Sequence, residues 1–120
     1  MVTAPADVLR AVQRAAVALG DAKAQDVVCL DLRGVTDMAD YFLVASGTSD
    51  THVRSSAQRV IEALKADGLQ VQSVEGLEQG RWVLLDYVDF VVHLFHPTLR
   101  QFYQLERLWG DAPAVPLPAA

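Results

Sequence analysis

Charged and aromatic side chains are concentrated in one short part of an otherwise apolar segment. Trp82, Asp86, Tyr87, Asp89 and His93 stand among valines, leucines and a phenylalanine. Charged groups are rarely buried without partners, and a strand pair that only fills a core does not need them. We therefore expect several of these side chains to bind a partner.

The spacing of the titratable residues in this segment bears on metal binding and on turn formation. His93 and His96 would point to opposite faces of one strand, so a shared metal would need a bend at Pro97. Asp86 and Asp89 would converge across a tight hairpin, but a solvated, turn-forming role is favoured for at least one of them. We predict neither a metal site nor a cofactor.

The two large aromatic residues of the segment fit different positions. Trp82 suits a core position and an interface position equally well. Tyr87 falls in the predicted hairpin turn, which favours an interface role because an aromatic ring offers a large contact area with a polar tip.

A second candidate site is the turn Gly47-Thr48-Ser49-Asp50, which precedes a predicted helix. The first N–H groups of a helix favour anions, so this turn would suit a phosphate in a nucleotidyl or phosphoryl transferase. The chain lacks both standard phosphate-loop patterns, and no aspartate is followed two residues later by an acid. Helix capping is therefore the favoured role of the turn, and no catalytic residue is predicted.

Composition favours a basic protein as the partner. The formal net charge is -5 and the isoelectric point is about 4.9, which does not suit the neutralisation of nucleic acid phosphates. Cys29 is the only cysteine, so an internal disulfide is impossible and a buried packing thiol is favoured. The chain shows no export signal and no apolar run of about 20 residues, the length that crosses a bilayer. We expect a cytoplasmic protein.

Hydrophobic periodicity predicts three helices and five strands. Helices are predicted over residues 5–20, from the turn at 47–50 to Gly68, and from Pro97 to Gly110. Strands are predicted at residues 27–32, 41–45, 69–72, 82–85 and 90–95, the last two as an antiparallel pair.

This order, α-β-β-α-β-β-β-α, predicts an α/β (α+β) domain with a mixed five-stranded sheet flanked by helices, because each helix must bury its apolar stripe against a sheet face. We expect a single domain over residues 1–111. Residues 112–120 are rich in proline and are predicted to form a mobile tail.

Several separated motifs together resemble the ribosomal silencing factor family, also called Iojap-like proteins. The resemblance covers about residues 5 to 111 in family order. The motifs are Asp40-Tyr41-Phe42-Leu43-Val44-Ala45-Ser46-Gly47-Thr48-Ser49 with His52, Glu75-Gly76, Gly80-Arg81-Trp82-Val83-Leu84-Leu85-Asp86-Tyr87, Val91-Val92-His93-Leu94-Phe95, and Arg100-Gln101-Phe102-Tyr103-Gln104-Leu105-Glu106-Arg107-Leu108-Trp109.

The resemblance implies a fold related to nucleotidyltransferases but without their catalytic carboxylates. It also implies binding to the large ribosomal subunit through ribosomal protein L-fourteen, on the face where the small subunit docks. Occupying that face would block subunit joining and lower translation when nutrients are scarce, with no enzymatic step. The family further implies a homodimer in the free state.

The chain departs from the family pattern in the hairpin. Val88 stands where the family usually carries glycine, and Phe90 stands where it carries a smaller aliphatic residue. Because valine disfavours a positive φ, either the turn geometry differs from the family norm or the glycine is not needed for its torsion.

Taken with the acidic charge, the resemblance gives a hypothesis for the site. Trp82 and Tyr87 are expected to be apolar anchors, and Asp86 and Asp89 to meet basic groups of the ribosomal protein. His93 would orient one of them or contact the partner. Two alternatives are a transferase that uses the Gly47-Thr48-Ser49-Asp50 turn and a homodimeric structural module. Direct sequence-specific binding of nucleic acid is not expected.

Overall fold

The computed structural model describes residues 5–35, 37, 39–97 and 114–115. Its helices are α1, Pro5–Asp21, and α2, Asp50–Ala66. Its strands are β1, Gln25–Asp31; β2, Tyr41–Ser46; β3, Ser73–Glu75; β4, Trp82–Asp86; β5, Phe90–Phe95; and β6, Ala114–Val115. The element order agrees with the prediction from α1 to β5. The predicted last helix lies outside the described residues.

Both helices form where apolar residues recur at helical spacing. Along α1 the buried stripe is Val8, Val12, Ala15 and Leu19, and along α2 it is Val53, Ala57, Val60 and Leu64. The side chain of Ser49 accepts the backbone N–H of His52 at the start of α2, which confirms the predicted capping role of this turn. Gly68, with a φ of 88°, follows the end of α2 as predicted.

The strands form one mixed sheet in the order β3-β4-β5-β2-β1-β6. Strands β2 and β5 are parallel, and every other neighbouring pair is antiparallel. The predicted mixed sheet and the predicted antiparallel pairing of β4 with β5 are therefore confirmed.

The strand predicted at residues 69–72 is wrong in position. The backbone N–H of Leu69 still bonds to the carbonyl of Leu64, 2.8 Å away, and so belongs to the end of α2. Pairing with β4 begins only where Gln72 N–H meets the carbonyl of Asp86 at 2.7 Å. The alternation of Leu69 and Val71 instead reflects packing against the core under the helices.

Strand β6 is an addition to the predicted set. Ala114 pairs with Leu30 and Val115 with Cys29, so these residues of the expected tail join the sheet edge. The residues around them lie outside the described part of the chain, and the domain boundary at residue 111 stays a prediction.

The sheet has two chemically different faces because alternate side chains of a strand point to opposite sides. One face packs under α1 and α2, and its buried core includes Leu43, Val83, Leu85 and Val92. We call the opposite side the aromatic face; it contains the buried cluster Leu30, Leu32, Ala39, Phe42, Val44 and Phe95, with Val28, Trp82 and Val91 packed against it.

Cys29 lies in the core under the helices and is 1% exposed. Burial raises the pKa of its thiol to about 12, so the group is a neutral packing thiol. The predicted structural role of this cysteine is confirmed.

Candidate functional site

The aromatic face is built around His93 on the central strand β5. The indole Nε1–H of Trp82 donates a hydrogen bond to Nδ1 of His93 over 3.2 Å. The ring of Phe42 meets the imidazole edge to face at 4.6 Å, and Phe95 lies parallel to it at 6.2 Å. These contacts hold the imidazole in one orientation.

Burial decides the charge state of this imidazole. His93 is 5% exposed, and desolvation lowers its pKa to about 4. The ring is therefore neutral near pH 7. Because Nδ1 accepts the indole N–H, the proton of the neutral ring is on Nε2.

The Nε2–H group of His93 is buried and has no hydrogen-bond partner in the described part of the chain. An unpaired buried polar group is unfavourable, so it is rare in native cores and is a feature to explain. His93 also lines a cleft on the aromatic face, which brings this group close to a place where a partner can bind.

The cleft on the aromatic face has a volume of about 520 Å³. Its apolar walls come from Phe42, Leu84, Val88 and Val91, and its polar lining comes from Ser73, Glu75, Asp86 and His93. Two carboxylates beside an apolar floor and no basic residue in this lining suit a partner that combines Lys or Arg with apolar side chains.

The β4–β5 hairpin turn fixes Asp86 at this cleft. Its Oδ1 accepts the backbone N–H of Val88 at 2.8 Å, which confirms the turn-forming role predicted for one of the aspartates. Val88 has a φ of 72° and is 61% exposed. Val88 thus adopts the left-handed torsion that glycine favours, and it does so at some strain.

Tyr87 lies on the other side of the hairpin. It is 4% exposed and packs in the core under the helices, with its ring stacked on Phe90 at 4.9 Å. Tyr87 shares this face with Val83 and Leu85, since every second residue of an extended segment points the same way. Tyr87, which the sequence favours as an apolar interface anchor, is therefore a buried residue in this structure.

The predicted site residues divide between the two faces. Trp82, Asp86 and His93 come together on the aromatic face, whereas Tyr87 and Asp89 line a different cleft beneath the helices. Leu84 and Glu75, which are not among the predicted site residues, also line the cleft on the aromatic face. Alternation from Trp82 identifies Leu84, but the contribution of Glu75 depends on the pairing of β3 with β4.

The Gly47-Thr48-Ser49-Asp50 turn is occupied by contacts within the chain. Nδ1 of His52 accepts the backbone N–H of Thr48 at 2.8 Å, and its Nε2–H donates to the carbonyl of Ala22 at 2.7 Å. His52 therefore ties the start of α2 to the loop after α1, and the side chain of Ser49 caps the helix.

The described residues show no group of three or more His, Cys, Asp or Glu side chains placed to hold a metal. His96, the second histidine of the considered pair, lies 3.7 Å from Oδ1 of Asp50. Neither of the two helices described here has the length and apolar character needed to cross a membrane.

In the part of the chain that the structure describes, both helices lie on one face of the sheet and an acid-lined aromatic surface lies on the other, as in an α+β protein. Residues 5–120 match the family model described as "Ribosomal silencing factor during starvation". The chain belongs to this family.

Individual relatives are similar over most of their length. The chain is 45% identical to the ribosomal silencing factor RsfS of Bacillus subtilis over 86% of this chain and 87% of that protein. It is 44% identical to RsfS of Halalkalibacterium halodurans over 88% and 90% of the two chains. A crystal structure from Chromobacterium violaceum superposes with a TM-score of 0.83 at 34% identity and covers 93% of this chain and 92% of that one.

Proposed function

We propose that this protein is a translation repressor that binds the large ribosomal subunit through ribosomal protein L-fourteen. By occupying the face where the small subunit docks, it blocks subunit joining sterically and lowers translation under nutrient limitation. The observation that carries the proposal is the match to the ribosomal silencing family along residues 5–120. The acid-lined cleft of the aromatic face supplies a surface suited to a basic ribosomal protein.

In this proposal the partner contacts the aromatic face. Trp82 and Val88 provide apolar contact area, and Glu75 and Asp86 attract basic side chains. The buried Nε2–H of His93 donates to an acceptor that the partner brings into the cleft, which removes an unsatisfied group on binding.

In this proposal Tyr87 and Asp89 lie on the opposite side of the hairpin and position the residues that contact the partner. The stacking of Tyr87 on Phe90 fixes the strands that carry the surface residues. The carbonyl of Asp89 accepts the N–H of Asp40 at 2.7 Å and so ties the turn to the segment before β2. Changes at these two residues would alter partner binding by moving the hairpin.

The remaining features follow from a steric mechanism. The protein acts in the cytoplasm, uses no cofactor and makes or breaks no bond. We propose that it is a homodimer when it is not on the ribosome.

Co-sedimentation with isolated large and small ribosomal subunits tests this function. We expect the protein to sediment with the large subunit alone and to reduce the formation of whole ribosomes when the small subunit is added. A Glu75→Lys variant should bind about tenfold more weakly, because it reverses a charge at the cleft. Glu62→Lys, on the exposed side of α2, makes the same change away from the aromatic face and should bind like the parent.

Two results would contradict the proposal. Failure to bind the large subunit would remove the ribosomal role, and equal losses in Glu75→Lys and Glu62→Lys would assign the effect to net charge rather than to the aromatic face.

A further inference from the structure

A second cleft lies beneath the helices, on the side of the sheet opposite the aromatic face. It is bounded by the first turns of α1, the end of α2 and the β4–β5 hairpin, and we call it the helix cleft. Its volume is about 520 Å³, and its walls are largely apolar, with Val8, Leu64 and Phe90 among them. This size lies within the range of about 300–1,000 Å³ that is typical of small-molecule sites.

The helix cleft is lined by Tyr87, whose hydroxyl group is buried and has no hydrogen-bond partner among the residues that the structure describes. Its ring is held by stacking on Phe90 at 4.9 Å, so the hydroxyl cannot easily turn away. Burial raises the pKa of Tyr87 to about 12, and the group is a neutral donor and acceptor. A ligand in the cleft can supply the missing hydrogen bond.

The charges around the helix cleft favour a cation. Arg14 is paired with Asp67 at 3.1 Å, and Arg10 lies 4.0 Å from Asp7. Within the described ranges, the carboxylate of Asp89 has neither an ion pair nor a hydrogen bond. The lining thus contains three carboxylates against two guanidinium groups, and the unmatched charge is negative.

We propose that the helix cleft is a binding site for a small hydroxylated aromatic amine. The apolar ring of the ligand lies between Val8, Leu64 and Phe90, its hydroxyl group bonds to that of Tyr87, and its ammonium group pairs with Asp89. An anionic ligand is disfavoured because both arginines already have carboxylate neighbours. The site is distinct from the surface proposed for the ribosome, since it lies on the other side of the sheet.

Tyramine is the probe for this site, and two close analogues separate its chemical features. Phenethylamine lacks the hydroxyl group, and phloretate has a carboxylate in place of the ammonium group. In an amide NMR titration of the full chain we expect saturable shifts at Val8, Gly68 and Phe90 with tyramine. Phenethylamine should bind about tenfold more weakly, as expected for one lost hydrogen bond to a buried group, and phloretate should not saturate.

Three variants assign the interactions. Asp89→Asn should weaken tyramine binding by about tenfold. Tyr87→Phe keeps the stacked ring and should bind tyramine and phenethylamine equally. The control Asp26→Asn also removes one negative charge, but at β1 and away from the helix cleft. Asp26 has a φ of 52°, which asparagine tolerates. The control variant should bind tyramine as tightly as the parent does.

The proposal is overturned by the absence of saturable shifts with tyramine or by equal or tighter binding of phloretate. It is also overturned if Asp89→Asn binds tyramine as well as the parent does, or if Tyr87→Phe still prefers tyramine over phenethylamine. These titrations contain no ribosomes, so their outcome is independent of the ribosomal function.

Discussion

The two faces of the sheet are buried to a similar degree but by different chemistry. Under the helices the core is mainly aliphatic, and Leu43, Val83 and Leu85 are 0% exposed. On the opposite side Phe42 and Phe95 are almost as inaccessible, at 3% and 1%, but they surround a histidine and adjoin a cleft with two carboxylates. Burial alone therefore does not distinguish the two faces, whereas the type of buried group does.

The hairpin between β4 and β5 joins these two faces. On one side it carries the buried hydroxyl of Tyr87, and on the other the buried Nε2–H of His93; neither has a hydrogen-bond partner in the described ranges. The two clefts that they line are of similar volume, about 520 Å³ each. The difference lies in the neighbours of each group, which are helices for Tyr87 and strand side chains for His93.

Neighbouring leucines on β4 give the largest expected contrast between the faces. Leu85 is 0% exposed under the helices, and Leu84 is half-buried on the aromatic face. Leu85→Ala should lower the free energy of unfolding by about 4 kcal/mol, because it removes buried methyl groups and leaves a cavity that the helices cannot close. Leu84→Ala should cost about 1 kcal/mol. Urea denaturation at neutral pH measures both.

Each variant is the control for the other, because both carry the same substitution at neighbouring positions of the same strand. Equal losses of stability in the two variants would contradict the distinction between the core under the helices and the aromatic face. Large-subunit binding should show the reverse order, with the greater loss in Leu84→Ala.

The sequence predicts the helices and strands better than it predicts the sheet face on which each candidate side chain lies. Alternation in β4 and β5 gives their bounds closely, because each strand pairs along its whole length with a neighbour. Residues 69–72 also alternate, yet the carbonyl of Leu64 still binds the N–H of Leu69 there. The local sequence pattern cannot show where the end of a helix gives way to strand pairing, because the pairing depends on Asp86, which is distant in the sequence.

The burial of Tyr87 escapes prediction for a related reason. Its type and its place near a turn favour an interface, but strand alternation continues through it and carries the ring under the helices. The same rule, applied from Trp82, correctly places Asp86 on one face with Trp82. Residue type therefore identifies the hairpin as unusual, and only strand alternation shows on which face of the sheet each of its side chains lies.

Protonation of His93 is expected to produce the next largest effect. Its folded pKa of about 4 lies below the ordinary value of 6.5, so between these values the unfolded state binds more protons and stability falls as pH falls. The loss is complete near pH 4 and amounts to about 3 kcal/mol. Urea denaturation of the parent and of His93→Asn at several pH values measures it, since asparagine keeps an acceptor for Trp82 and does not titrate.

Both proteins contain the same carboxylates, so the effect of carboxylate titration on stability cancels when the parent is compared with His93→Asn. The parent's stability advantage over His93→Asn should shrink steadily from pH 6.5 to pH 4. A constant difference would mean that the imidazole is not held neutral by the aromatic face.

Removal of the indole donor is expected to have a smaller effect. Trp82→Phe retains an aromatic ring but takes away the Nε1–H group that bonds to Nδ1 of His93 at 3.2 Å. Both imidazole nitrogens then lack a protein partner among the described residues, and stability should fall by about 1–2 kcal/mol. Thermal unfolding measures this. In a His93→Phe background, Trp82→Phe should lower stability by less than it does in the parent. An equal loss of stability in both backgrounds would show that the hydrogen bond contributes nothing.

The smallest expected effect is a gain in stability at the residue that connects the two faces. Val88 is 61% exposed, so its side chain contributes little burial, while its φ of 72° strains a β-branched residue by about 1–2 kcal/mol. Val88→Gly removes that strain and loses about 0.5–1 kcal/mol through the freer unfolded chain. The net gain should be about 0.5–1 kcal/mol, measured by urea denaturation. Val74→Gly is the matched control, because Val74 is also an exposed valine, in β3, but does not have a positive φ. This control substitution should destabilise the protein. If both variants lose stability, the torsion at Val88 is not strained, and valine at this position of the hairpin does not lower the free energy of unfolding.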